Sequence, residues 1–352
     1  NMSKNTEYHI VYASDDNFAE ILGISLVSLF ENNRDASDIR LTILDEHISE
    51  SNRNKIESIC IRYQRPLPQW LTAINVEERL NLSIQIDRGS FSQYSRIFVA
   101  SVLPKSVERV LYLDCDIIIK KPLYELWNLD LHGNTVAALM DAFSKYYRMN
   151  VELKPEDIMF NSGVMLIDMK KWRERQIENK LLAFIIRHRG KIQQSDQGVL
   201  NAVLSKETYC FEPRFNSVTI FYDFSYREMM LYRKSPYFYS EEAVKRAIED
   251  PVIIHFTTSF LSNRPWMKNC RHRYKREWDK YKALSPWSTS EERRDTRPVW
   301  KKISVVIYRA LPRELSVRMA GIFQIYGRPW KNRLLDWLKY ENLLVRKDKK
   351  WK

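Results

Sequence analysis

The run Val107-Glu-Arg-Val-Leu-Tyr-Leu-Asp114-Cys115-Asp116 ends a short apolar, β-prone segment in two carboxylates separated by one residue. On extended backbone, side chains two apart point the same way, so Asp114 and Asp116 can converge just past the strand's carboxyl end. That edge is where open α/β sheets bind ligands. Two oxygen donors on one side suit a hard divalent cation, Mg²⁺ or Mn²⁺, whose other ligands come from substrate phosphates. The same pattern also serves as a solvated strand-to-turn exit, because Asp is a common turn residue. His255 ends a second β-prone run, Pro251-Val-Ile-Ile-His255. Imidazole is a good third ligand for Mn²⁺ beside two carboxylates, although a lone His at a strand end is otherwise structural.

Other polar residues sit where strands or helices end. Asp15-Asp16-Asn17 follow a first strand, His9–Ser14, directly. A carboxylate such as Asp15 can accept from a base N–H or a ribose hydroxyl. Either Asp15 or Asp16 can instead cap the helix that follows. Arg96 lies among apolar neighbours on a helical run from Phe91 closed by Pro104. It can face a diphosphate or the carboxylates, or be an ordinary surface arginine. Ser195-Asp196-Gln197 opens a helix continuing from Gly198 to Leu204, where Asp196 can act as a cap.

The elements that must hold these residues alternate. After the first strand come a helix with apolar spacing from Phe18 to Phe30, a strand 38–44, a helix 49–61 and an extended segment 66–74. Later strands are read at 110–113, 117–119, 134–140 (ended by Asp141) and 160–168, the last entered through a polar Asn161-Ser-Gly163 turn. Lys170 to Arg187 reads as one long amphipathic helix. This order predicts an α/β fold with a mostly parallel sheet. No GxGxxG follows the first strand, which argues against a dinucleotide site.

A chain of 352 residues, 44% hydrophobic, supports a large folded core. The four cysteines, Cys60, Cys115, Cys210 and Cys270, have no CxxC spacing and fit a reducing cytoplasm. No signal sequence opens the chain and no run reaches the length of a membrane span. The net charge of +13 is uneven. Leu261–Lys352 holds 25 Lys or Arg against 9 Asp or Glu, and seven of the ten tryptophans. The first 260 residues hold 32 against 35. This break places a domain boundary near residue 265, between a near-neutral body (1–265) and a basic, Trp-rich helical add-on (266–352).

Six motifs in order resemble glycosyltransferase family 8, the retaining nucleotide-sugar transferases that include bacterial α-galactosyltransferases of lipooligosaccharide synthesis. They are His9-Ile-Val-Tyr-Ala-Ser-Asp-Asp-Asn-Phe18, Tyr94-Ser-Arg96, Val110-Leu-Tyr-Leu-Asp-Cys-Asp116, Phe160-Asn-Ser-Gly-Val-Met-Leu-Ile167, Ser195-Asp-Gln197 and Ile254-His-Phe256. The resemblance covers about residues 8 to 266. It implies a single Rossmann-like GT-A domain that binds a UDP-sugar and Mn²⁺. By position, Asp114, Asp116 and His255 resemble its metal ligands, with Cys115 inside that Asp-X-Asp motif. Asp15 resembles the residue that pairs with uracil. Ala13 and Asn17 resemble residues lining the nucleoside, with Asp16 between them. Arg96 resembles an arginine that contacts the donor. Asp141, Asn161, Asp196 and Gln197 resemble residues around donor sugar and acceptor. Arg264, in Arg264-Pro-Trp266, resembles the family's diphosphate-binding Lys. Here the chain departs from pattern in having Arg, a longer loop and no customary glycine.

The implied activity is transfer of galactose or glucose from a UDP-sugar to a glycan hydroxyl, with the growing O-glycan of a surface glycoprotein as the leading acceptor. A lipid-linked or lipooligosaccharide acceptor is the alternative. The other class of function is a non-catalytic glycan- or membrane-binding module on a nucleotide-sugar scaffold. In the tail, Trp300–Leu311 and Pro329–Lys339 read as amphipathic helices with basic flanks. They suit an anionic membrane surface, a glycan acceptor, or a helical add-on with its tryptophans in the core. No nucleic-acid motif is present, so no nucleic-acid partner is expected. The expected setting is cytoplasmic, with a peripheral place at the inner face of the membrane as the option the tail adds.

Overall fold

The computed structural model describes residues 7–84, 91–331, 333 and 334. Its strands are β1 (Glu7–Asp15), β2 (Asp38–Glu46), β3 (Gln69–Thr72), β4 (Arg109–Leu113), β5 (Ile117–Ile119), β6 (Val136–Met140), β7 (Phe160–Asp168), β8 (Thr208–Cys210), β9 (Ser217–Val218) and β10 (Ile253–His255). Seven form one sheet in the order β3-β2-β1-β4-β7-β6-β8, and three form a small sheet, β5-β10-β9. In the large sheet only β7 runs against its neighbours. The fold is therefore α/β with a mostly parallel sheet, as the alternation of elements implies.

Side chains alternate across the strands and build a core on each face. On β4, Leu111 and Leu113 enter one core while Val110 and Tyr112 enter the other. The first core holds the helix Ala19–Asn32, which is buried over most of its length. That burial needs cover on both sides. The sheet supplies one and the C-terminal region the other: Asn32 donates to the Tyr281 hydroxyl at 2.8 Å, and the Trp287 ring lies on Gly23, where a Cβ would come within 2.2 Å of it. Trp266, Trp278 and Trp287 are buried in this core, whereas Trp300 and Trp330 are more than 60% exposed. The aromatic tail is thus partly core and partly surface. Its helices run Lys275–Ala283, Val299–Ala310 and Arg313–Ile322. Asn332 and residues 335–339 of the expected last helix lie outside the described residues. Among those described, no helix is long and apolar enough to cross a membrane.

Two local expectations are corrected. The stretch 170–187 is two helices, Met169–Glu174 and Ile177–Arg187, broken at Gln176, which is left-handed at φ 52°. No Gly or Pro marks the break; it lies beside Arg175, which reaches across to Glu207 and to Thr135 Oγ1. Asn161-Ser-Gly163 is not a turn before β7 but part of it. There the β6–β7 register slips between Ala138 and Leu139. Asn161 Oδ1 accepts from the Gly163 N–H at 3.0 Å, and Gly163 O accepts from Asp114 N–H at 2.8 Å. The irregularity thus turns these polar residues toward the end of β4.

Candidate active site

β4 carries Asp114 and Asp116 to the edge of the sheet, and the small sheet carries His255 to meet them. Asp116 runs directly into β5, and β10 pairs antiparallel with β5, His255 opposite Ile117. That register sets the imidazole Nε2 3.1 Å from Asp116 Oδ1 and 3.8 Å from Asp114 Oδ2. One ligand atom from each residue lies within 4.8 Å of the others.

The donor set fits a divalent cation. Asn216, fully buried, points its amide NH₂ at Asn161 Oδ1 at 3.0 Å. Its Oδ1 is then left to accept from His255 Nδ1, also at 3.0 Å. With Nδ1 donating, Nε2 turns a lone pair toward a carboxylate oxygen, and two acceptors face each other across 3.1 Å. A cation between them resolves that, and one shared with Asp114 uses all three groups. Space is kept by Gly163, where a Cβ would fall 2.2 Å from His255 Cε1 and 2.8 Å from Asp114 Oδ2. Two carboxylates and one imidazole suit a divalent metal ion.

Two arginines frame the group. Arg264 lies 3.0 Å from Asp116 Oδ2 and sits over the Trp266 ring. Burial pulls the Asp116 carboxyl upward, but positive charge beside it, Arg264 included, outweighs that and holds it below the usual carboxylate range. Arg96 is 2% exposed, not a surface arginine. It donates to Asp114 Oδ1 at 2.8 Å and to Ser162 O at 2.7 Å, pairs with Asp196 at 3.1 Å, and stacks on Tyr112. It ties the carboxylate pair to the helix Ser195–Leu204.

Asp196 lies within the first turn of that helix. The turn is entered through Gln194 and Ser195, two non-glycine residues at φ 65° and 52°. Such conformations cost on the order of 1–3 kcal/mol each and gather at functional sites. Burial pushes the Asp196 carboxyl up to about 6; Arg96 opposes the rise and Asp114 adds to it. Its buried Oδ2 is the atom that faces Arg96 Nε at 3.1 Å. Gln197 Oε1 lies 3.5 Å from Ser162 N, a long contact, and its side chain also hydrogen-bonds Asp141. Loss of solvent pushes Asp141 up, against Arg233 and hydrogen bonds from Ala142, Gln197 and Asn161. The loop after Asp141 is closed by buried Arg148, which donates to the carbonyls of Phe143 and Asp157.

The turn after β1 is divided in its allegiance. Ala13 is buried, and its carbonyl accepts from Cys115 Sγ at 3.2 Å, linking β1 to the Asp-Cys-Asp motif. Asp15 Oδ1 caps the next turn at Phe18 N. Asp16 Oδ1 accepts from Ser49 N and Asn52 Nδ2, so it braces the helix Glu50–Arg62. Asn17 is held by Arg293 of the C-terminal region, at 3.1 Å to Oδ1 and 2.7 Å to its carbonyl. Sequence reasoning missed Asn216, Gly163 as a spacer, and Arg293. Gly163 at least stood inside a recognised motif.

Known proteins place the chain. Residues 9–270 match the family model of Glycosyl transferase family 8. General stress protein A of Bacillus subtilis is 30% identical over 292 residues, 82% of this chain and 97% of that protein. Lipopolysaccharide 1,2-glucosyltransferase of Escherichia coli is 25% identical, over 74% of this chain and 73% of its own. The galactosyltransferase LgtC, solved with donor and acceptor sugar analogs, shares the GT-A fold with a TM-score of 0.67 at 23% identity, over 84% of this chain and 99% of that one. By its sequence match and its Asp-Asp-His site, this chain belongs to glycosyltransferase family 8.

Proposed function

We propose that this chain is a metal-dependent, retaining hexosyltransferase that moves galactose or glucose from a UDP-sugar to a hydroxyl of a glycan acceptor. The observation that carries this reading is the meeting of Asp114, Asp116 and His255 around one point. These three residues would hold Mn²⁺, or Mg²⁺, which when bound acts as a Lewis acid toward the departing UDP. Asp15, Ala13 and Asn17 face the nucleoside in this reading, and Arg264 adds positive charge near the diphosphate. Arg96 keeps Asp114 and Asp196 in place.

As the bond from sugar C1 to the β-phosphate breaks, the ring becomes oxocarbenium-like. The Gln197 amide oxygen offers it partial negative charge without being a strong base. Asp196 accepts from a sugar hydroxyl and fixes the ring. Among the described residues no carboxylate beyond those given other roles here presents itself as a nucleophile, so attack comes from the face the UDP leaves, and the leaving phosphate takes the acceptor's proton. Asp141 and Asn161 border the sugar and acceptor.

Two carriers fit the acceptor glycan, a surface glycoprotein and a lipid. The exposed apolar faces of the C-terminal helices favour the lipid. A non-catalytic binding module is disfavoured by the complete metal-ligand set. The test is UDP release from UDP-galactose and UDP-glucose, with and without Mn²⁺ and a panel of glycan acceptors. Release that needs metal and acceptor together supports the transferase; no release with any donor removes it.

A further inference from the structure

Fifteen large hydrophobic side chains are exposed among the described residues, and eleven of them lie between Val299 and Trp330. They follow helical spacing. Val299, Trp300, Ile303, Val306 and Ile307 form one stripe, while Val305 and Tyr308 of the same helix are buried. Leu315, Met319, Ile322, Phe323, Tyr326 and Trp330 form a second, opposite buried Val317 and Ile325. Most of the second stripe lines a shallow groove of about 430 Å³. Residues 299–334 also carry eight Lys or Arg against a single Glu. Apolar stripes this exposed on a folded chain mark a docking surface.

We propose that these two stripes, the second above all, dock the chain on an anionic lipid bilayer. Charge selects this occupant. A second copy would bring an equally basic face against the first. Of the chain's own residues, the apolar stretch 335–345 carries one Lys against one Asp and one Glu, too little acid to balance the eight cations beside the stripes. An anionic membrane surface meets both needs: its headgroups attract the cations and its acyl boundary takes up Trp, Phe and Ile side chains.

The dock is joined to the candidate site. Ile325 O accepts from Ser144 Oγ at 3.3 Å, Tyr147 donates to Gln324 O at 3.2 Å, and the Tyr326 and Tyr146 rings lie 5.2 Å apart. Ser144 is three residues past Asp141. The membrane face therefore abuts the loop that borders the sugar, which suits an acceptor carried on lipid. That last clause rests on the transferase reading; the docking itself does not.

The experiment is flotation of the full chain with vesicles of phosphatidylcholine alone and of phosphatidylcholine mixed with phosphatidylglycerol, in low and high salt. The chain should float with the anionic vesicles only, and less in high salt. The double variant Met319→Glu, Phe323→Glu should lose about tenfold or more in binding, since it sets two carboxylates on the buried-in-lipid face. Both residues are more than half exposed, so its melting temperature should not change. Failure of the native chain to float, equal flotation of the variant, or a dimer that the variant dissolves would each overturn the proposal. No donor sugar enters this assay, so its result is separate from that of the transferase test.

Discussion

His255 Nε2 and Asp116 Oδ1, 139 residues apart in the chain, face each other at 3.1 Å because β10 pairs with the strand that starts right after Asp116. The imidazole is aimed from behind by Asn216. Asn216→Ala removes the partner that keeps Nδ1 the donor. Metal affinity should fall about 10–100-fold, the usual cost of losing such a support. Calorimetry of Mn²⁺ with UDP present checks this; unchanged affinity would mean that the ring is oriented by something else.

Gly163→Ala puts a methyl group where His255 Cε1 and Asp114 Oδ2 now stand. Overpacking of this kind costs about 1–3 kcal/mol. The expected result is a modest fall in melting temperature and a far larger loss of metal-dependent UDP binding. Equal, small effects on both would show that the triad can shift aside.

Gln197→Ala should leave UDP and metal binding intact and reduce transfer by about 10²-fold, the range for removing one preorganised electrostatic group. Initial rates beside UDP titrations separate the two. Turnover at the native rate would remove Gln197 from its assigned role.

The pH dependence of stability has a specific source in His272. It is 5% exposed among Tyr222, Phe256 and Tyr274, and burial lowers its pKa from 6.5 to about 4. The folded protein resists the proton that the unfolded chain accepts. Stability is therefore intact above about pH 6.5, falls as pH drops, and stops falling from this cause below about 4. At about 1.4 kcal/mol per pH unit the full loss is roughly 3–4 kcal/mol. Urea unfolding across this range should show the slope in the native chain and a flatter one in His272→Phe.

The parts of the site that local sequence could reveal were those built locally. Asp114 and Asp116 lie two apart just past β4, so their convergence could be read from their spacing. His255 gained its place from a strand pairing across more than a hundred residues; its chemistry made it a candidate ligand, and the family resemblance tied it to Asp114 and Asp116. Asn161-Ser-Gly163 has the composition of a turn, yet Asn161 spends its side chain on the Gly163 amide and builds an irregular strand instead. The break at Gln176 has no helix-breaking residue to announce it. Asn216 could not be found from one sequence, because nothing in Phe215-Asn-Ser-Val218 distinguishes a buried hydrogen-bonding amide from a loop residue.

The claim beneath all of this is that Asp114, Asp116 and His255 hold one divalent cation that secures UDP. Its most direct test is calorimetric titration of UDP into the native chain and into Asp116→Asn, with Mn²⁺ and with a chelator. The account predicts binding by the native chain only when Mn²⁺ is present, and no metal-dependent binding by the variant. Metal-dependent binding of undiminished affinity by Asp116→Asn would contradict it.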